Sequence, residues 1–151
     1  MKKSHIVLIA IAIVAVSFVP FAVIFGSAIF SFDCRAEIEI DSYRLCQDAD
    51  GKDVIIVKYL LKNNNKEPTA LFYEGDFYAY QDGVGLNEYM EELPKECDYD
   101  LDDQYKNIKP GVEYYAEIAY ILEDTTTDVI VEVDDYKFFF SKQKEKTFSI
   151  K

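Results

Sequence analysis

From Ala36 onward the apolar positions recur with period two, in runs too short for helices. Ala36, Ile38 and Ile40 alternate with Glu37, Glu39 and Asp41. Such alternation places one face of a strand in a core. The phase then slips, with Tyr43 and Leu45 apolar, so a bulge is expected near Asp41-Ser42 in a strand over 35–45. Asp50-Gly51 predicts a turn. Residues 54–61 are almost continuously apolar apart from Lys58. That pattern predicts a central strand buried on both faces, with Ile55, Val57, Tyr59 and Leu61 inward. A polar loop, 63–68, leads to a strand over 69–81, bent at Glu74-Gly75-Asp76. Asp82-Gly83 turns into a short strand at 84–86. A long irregular stretch, 87–108, follows. Pro110-Gly111 opens a strand over 112–122, with Tyr114, Ala116, Ile118, Tyr120 and Leu122 on one face. Val129, Val131 and Val133 mark the next strand, and 136–140 and 146–150 supply one or two more. About seven short strands with recurring turn signals predict an all-β fold, an immunoglobulin-like antiparallel β-sandwich.

The first 32 residues follow another rule. Residues 6–32 form one apolar run, interrupted only by Ser17, Pro20, Gly26, Ser27 and Ser31. At about 1.5 Å per residue the run reaches roughly 40 Å, enough to cross a hydrocarbon layer of about 30 Å with tilt. Lys2-Lys3 precede it and Asp33, Glu37 and Glu39 follow it. This charge order predicts a cytoplasmic N-terminus, with the rest outside the cell. A cleavable signal is the alternative, with Gly26-Ser27-Ala28 as a weak cleavage site; the length of the run favours an uncleaved transmembrane anchor. Lipidation at Cys34 needs a Leu-like residue three positions earlier and a small residue just before it. Ser31 and Asp33 stand there instead. The expected division is a membrane anchor or signal segment over 1–33 and an extracellular sandwich over 34–151, secreted if the head is removed.

Charge sharpens this division. The chain of 151 residues carries a net −12, yet residues 1–32 contain no Asp or Glu. Residues 33–151 therefore hold all 28 acids against 14 Lys or Arg, a net −14. The one histidine, His5, lies in the apolar head. The outer domain has no imidazole for general-base chemistry, for a Ser-His or Cys-His nucleophile, or for zinc. Its charge argues against binding nucleic acid.

Several stretches then taken together carry a resemblance. Asp50-Gly51-Lys52 runs into Val54-Ile55-Ile56-Val57-Lys58-Tyr59, with Asn63-Asn64-Asn65 beyond. Ala79-Tyr80-Gln81-Asp82-Gly83, Ile108-Lys109-Pro110-Gly111, Ala119-Tyr120-Ile121-Leu122 and Lys146-Thr147-Phe148-Ser149-Ile150 complete it. Over roughly 38–150 the chain resembles the immunoglobulin-like ("telokin-like") extracellular domains of Gram-positive bacterial surface proteins and lipoproteins. The resemblance implies a sandwich fold and a cell-surface address. The family has no assigned activity, so no functional residue is carried over.

Candidate chemistry is confined to acids, tyrosines and cysteines. The stretch 87–103 holds eight carboxylates with Lys95 as its single cation. Tyr89, Glu91, Glu92, Tyr99, Asp100, Asp102, Asp103 and Tyr105 are the candidate binding residues, with the 63–69 loop as neighbour. An acidic, tyrosine-bearing surface suits a protein, peptide or cell-wall ligand. A solvated acidic loop, or one pinned to the sandwich by its aromatics, explains the same residues. Asp48, Asp50 and Asp53 resemble the start of a calcium loop. The bidentate acid expected at its twelfth position is Tyr59, and an Asp-Gly turn accounts for the segment without metal. No other cofactor is implied. Of three cysteines in an oxidising compartment, Cys46 and Cys97 form the first candidate disulfide; Cys34–Cys46 pairing and three free thiols are the alternatives. The expected function is a non-enzymatic surface binding module anchored through residues 6–32. A calcium-stabilised structural or adhesion domain and a carboxylate-dependent hydrolase are the other readings.

Overall fold

The structure, a computed structural model, describes residues 36–136 and 143–150. These all belong to one unit, Arg35–Lys151. The apolar run at 6–32, the candidate cleavage site at 26–28 and Cys34 lie outside the described residues. Among the described residues, no helix is long and apolar enough to cross a membrane.

Two antiparallel sheets form an all-β sandwich. One sheet has the order β1 (Glu37–Gln47), β2 (Asp53–Lys62), β5 (Glu113–Ile121). The other has the order β4 (Val84–Gly85), β3 (Gly75–Gln81), β6 (Val129–Asp135), β7 (Gln143–Phe148). The period-two residues meet between them. Ile38, Ile55, Val57, Tyr59, Leu61 and Ile118 pack against Ala79, Val129, Val131, Val133 and Phe148, all buried. The Tyr59 ring meets Phe77 edge-on at 5.0 Å, and its hydroxyl lies 3.3 Å from that of Tyr120.

The register of β1 on β2 shifts between Ile40 and Ser42, where the change of phase places a bulge. The amine of Lys146 on β7 bonds the carbonyls of Ile40 and Asp41 there, and Lys144 bonds that of Ile38. Two lysines of the second sheet thus close the edge of the first, which limits strand addition at β1.

The expected strand over 69–81 is shorter than its apolar pattern. Thr69 only bridges to Ile108, Leu71–Tyr73 form a 3-10 turn, and β3 begins at Gly75. The cause is local. Glu74 accepts hydrogen bonds from Asn65 Nδ2 (2.8 Å) and the Thr69 hydroxyl (2.5 Å), drawing the chain out of the sheet. Gly75 then re-enters so close to β6 that a β-carbon would lie 2.8 Å from the Asp134 carbonyl oxygen. The closing strand is β7, and 137–142 lie outside the described residues.

Candidate functional site

β2 is buried on both faces. Its inward residues belong to the sandwich core, but Val54 and Ile56 point the other way and are also fully buried. The 86–112 connection covers them. Its backbone first runs beside β5, with Tyr89 N–H donating to Ala119 O (2.8 Å) and Ile121 N–H to Asn87 O (2.9 Å). It then folds back across the sheet. Tyr89, Leu93 and Cys97 form a second core with Val54, Ile56 and Ala119, and Tyr99 packs beside it.

Three devices fix the fold-back. Cys46 of β1 is disulfide-bonded to Cys97, with Cα atoms 5.7 Å apart. With Cys46 so paired, neither alternative, Cys34–Cys46 pairing or three free thiols, holds. Next to it, Arg44 Nε donates to Cys97 O (3.0 Å), and the guanidinium grips both carboxylate oxygens of Glu117 on β5. That hydrogen-bonded contact raises the Arg44 pKa further. The third device is the 3-10 turn Leu101–Tyr105. Asp100 caps it by accepting from Asp102 N–H (3.0 Å), and Lys106 binds both Asp100 and Asp103. The hydrogen bond from Lys106 holds the Asp100 carboxyl below its ordinary value. Gln104, buried, donates to Glu88 (3.1 Å), and the Tyr114 hydroxyl donates to Asp103 (2.9 Å). The stretch is an acidic surface built on a pinned base, not a freely solvated loop.

Between this cover and the outer face of β2 and β5 lies a cavity of about 670 Å³. Six carboxylates line it: Glu92, Asp98, Asp100, Asp102, Asp103 and Glu117. Lys58 and Lys95 are its cations, and Leu93, Tyr99, Leu101 and Tyr115 its apolar walls. Lys58 lies over the Tyr115 ring, 5.5 Å from the centroid. Glu117, Asp100 and Asp103 are committed to Arg44 or Lys106. Glu92, Asp98 and Asp102 form no salt bridge among the described residues, so the cavity keeps unneutralised negative charge. Burial pushes the Tyr99 phenol up to about 12, with the Ala119 backbone amide pulling the other way. Even so, the buried phenolic oxygen has no hydrogen-bond partner of good geometry.

The structure thus divides the sequence-predicted residues. Glu92, Tyr99, Asp100, Asp102 and Asp103 meet in the cavity. Tyr89 is a buried core residue, Glu91 is exposed outside the cavity, and Tyr105 turns away to pack on Phe72. Sequence reasoning missed Tyr115 and Glu117, which come from β5, and Arg44, which comes from β1. The available signal was Lys58, the one charge inside an otherwise apolar strand. Asp48, Asp50 and Asp53 do not converge. Asp48 accepts from the amides of Asp50 (2.9 Å) and Lys52 (2.8 Å), closing the turn, and Asp53 accepts from Gln47 Nε2 (2.9 Å). Among the described residues, no three His, Cys, Asp or Glu are gathered to hold a metal ion.

A family model described as a domain of unknown function (DUF5067) matches residues 34–135. Among solved structures the fold is similar to a "putative lipoprotein" of Staphylococcus aureus subsp. aureus NCTC 8325. That likeness has TM-score 0.56 and 18% identity, over 78% of this chain and 85% of that one. It is also similar to a "putative lipoprotein" (ycdA) of Bacillus subtilis subsp. subtilis str. 168, with TM-score 0.55 and 14% identity. That match covers 77% of this chain but 37% of the Bacillus protein. No curated protein matches the chain.

Proposed function

The chain belongs to the DUF5067 family, and from that premise we propose that it is a non-enzymatic, cell-surface binding module whose acid-lined cavity takes a cationic ligand. The observation that carries this reading is the cavity, where six carboxylates meet two lysines on a base pinned by a disulfide and a bidentate ion pair. Tyr99, Tyr115, Leu93 and Leu101 give it apolar walls, which strengthen charge pairing by excluding water. A cell-surface address is supported by the apolar run at 6–32 after Lys2-Lys3, by the disulfide, and by the lipoprotein descriptions of the two similar structures. The division of strands, β1-β2-β5 over β4-β3-β6-β7, supports an immunoglobulin-type arrangement.

The test is a titration of the full-length chain with a fluorescent lysine-rich peptide, followed by anisotropy. The double variant Glu92→Gln, Asp102→Asn should weaken binding about tenfold without changing Tm, and added salt should weaken it further. Equal binding by the variant and the original chain would sink the proposal.

A further inference from the structure

Beyond the cavity, the same end of the sandwich carries an aromatic cluster that the cavity does not use. Phe72 and Tyr73 sit on the 3-10 turn Leu71–Tyr73, and Tyr105 ends the 3-10 turn Leu101–Tyr105. Phe72 lies 5.0 Å from Tyr105 and 5.6 Å from Tyr73, centroid to centroid, with planes at 47° and 81°. The three residues remain 46%, 64% and 37% exposed. Single exposed aromatics need no explanation, whereas a contiguous group drawn from two separate connections is the kind of surface that interaction sites use.

The base beneath the rings is firm. Thr69 and Ile108 exchange backbone hydrogen bonds of 3.0 and 2.7 Å, joining the two connections. The Asn63 side chain donates to the carbonyls of Glu67 (3.0 Å) and Ile108 (2.7 Å). The backbone that carries the rings is therefore tied down, which lowers the ordering cost of binding. The surroundings are acidic. Burial raises the Tyr105 phenol, and the charges of Glu88 and Asp102 add to the rise. Asp102 also lines the cavity, so the turn 101–105 presents carboxylates on one side and the aromatic cluster on the other.

We propose that the Phe72–Tyr73–Tyr105 cluster and the acid-lined cavity are two anchors of one site for a basic polypeptide segment of another protein. This rests on the cavity reading above. A lysine or arginine of the segment enters the cavity, and a neighbouring apolar or guanidinium side chain lies on the rings. Charge complementarity selects this occupant: carboxylates stand at both anchors, and aromatic faces attract cations. A small cation could fill the cavity but could not reach both anchors.

Two fluorescent dodecapeptides test the proposal on the full-length chain, one of alternating Lys and Ser and the other the same with Arg-Leu-Arg at one end. The second should bind about tenfold more tightly. Tyr73→Ser, at the most exposed of the three positions, and Phe72→Ser should each reduce that advantage and leave the Lys-Ser peptide unaffected. Equal affinity for the two peptides, no binding of the second at millimolar concentration, or an unchanged advantage in both variants would overturn it. Cellohexaose shifting the nuclear magnetic resonance signals of Phe72 and Tyr105 while the peptides do not would also overturn it, assigning the rings to a sugar. The cavity reading fails separately, when Glu92→Gln, Asp102→Asn leaves both peptides bound as before.

Discussion

Arg44 on β1 and Glu117 on β5 meet across the intervening strand β2, and the same guanidinium holds the carbonyls of Cys97 and Asp98 in the covering connection. One side chain therefore joins both edges of a sheet to the segment packed over it. The Glu117 side chain is 10% exposed, so its charge depends on this partner.

Removing the guanidinium should be costly. Arg44→Ala leaves a nearly buried carboxylate unpaired and frees two carbonyls. The expected loss is about 2–3 kcal/mol in chemical denaturation, reduced from the fully buried case because Arg44 is partly exposed. Adding Glu117→Gln to Arg44→Ala should recover part of it. Strict additivity of the two changes would show that the pair is not coupled.

The disulfide gives a second prediction. Cys46 and Cys97 are separated by 51 positions, so closing that loop restricts the unfolded chain considerably. The double change Cys46→Ser, Cys97→Ser should cost about 4 kcal/mol on the loop-entropy view. Hydrogen exchange should quicken most at residues 93–99, which lose their covalent tie, and little in β6. Uniform quickening through both sheets would contradict a local anchoring role.

These two contacts also mark where sequence reading stops. The strands, their inward faces and the bulge at Ile40/Ser42 were legible, because period two and turn dipeptides are local signals. The double burial of β2 was legible from its continuous apolar run. What covers its outer face was not, since that depends on pairing Val54 and Ile56 with Tyr89, Leu93 and Cys97 from a stretch dominated by acids. Five of the twelve residues that line the cavity were visible as a run of carboxylates. Glu117 and Tyr115 were not, nor was Arg44, the partner of Glu117, because strand order alone brings β1 and β5 together on either side of β2. The start of β3 failed for another reason: the side chain of Glu74 outweighs the apolar pattern of 69–74.

The outer core supplies a third prediction. Ile56 is fully buried although it faces away from the sandwich interior. Ile56→Ala should destabilise the domain by about 2–4 kcal/mol through lost burial and the void left behind. The equivalent change at a solvent-facing strand position would cost little. A loss below about 0.5 kcal/mol would mean that the 86–112 cover moves freely off the sheet.

The last prediction concerns alkaline pH. Tyr99, Tyr59 and Tyr120 are all held above the ordinary tyrosine value near 10, burial being the largest cause in each. Tyr99 is pushed to about 12. For a group whose folded value is raised, the folded chain keeps its proton after the unfolded chain has lost it. The stabilisation is complete below the unfolded value and is lost as pH rises through the folded one. Stability should therefore be flat in this respect up to about pH 10 and fall between about 10 and 12. Tyr99→Phe should reduce the slope in that window. It should leave neutral stability unchanged or raise it by about 0.5–1 kcal/mol, because the hydroxyl it removes is buried without a well-formed partner. Denaturant melts at stepped pH, alongside the phenolate absorbance, measure both. An unaltered slope in Tyr99→Phe, with phenolate appearing at its ordinary pH, would show that the Tyr99 phenol faces water and that the cavity wall it forms is open.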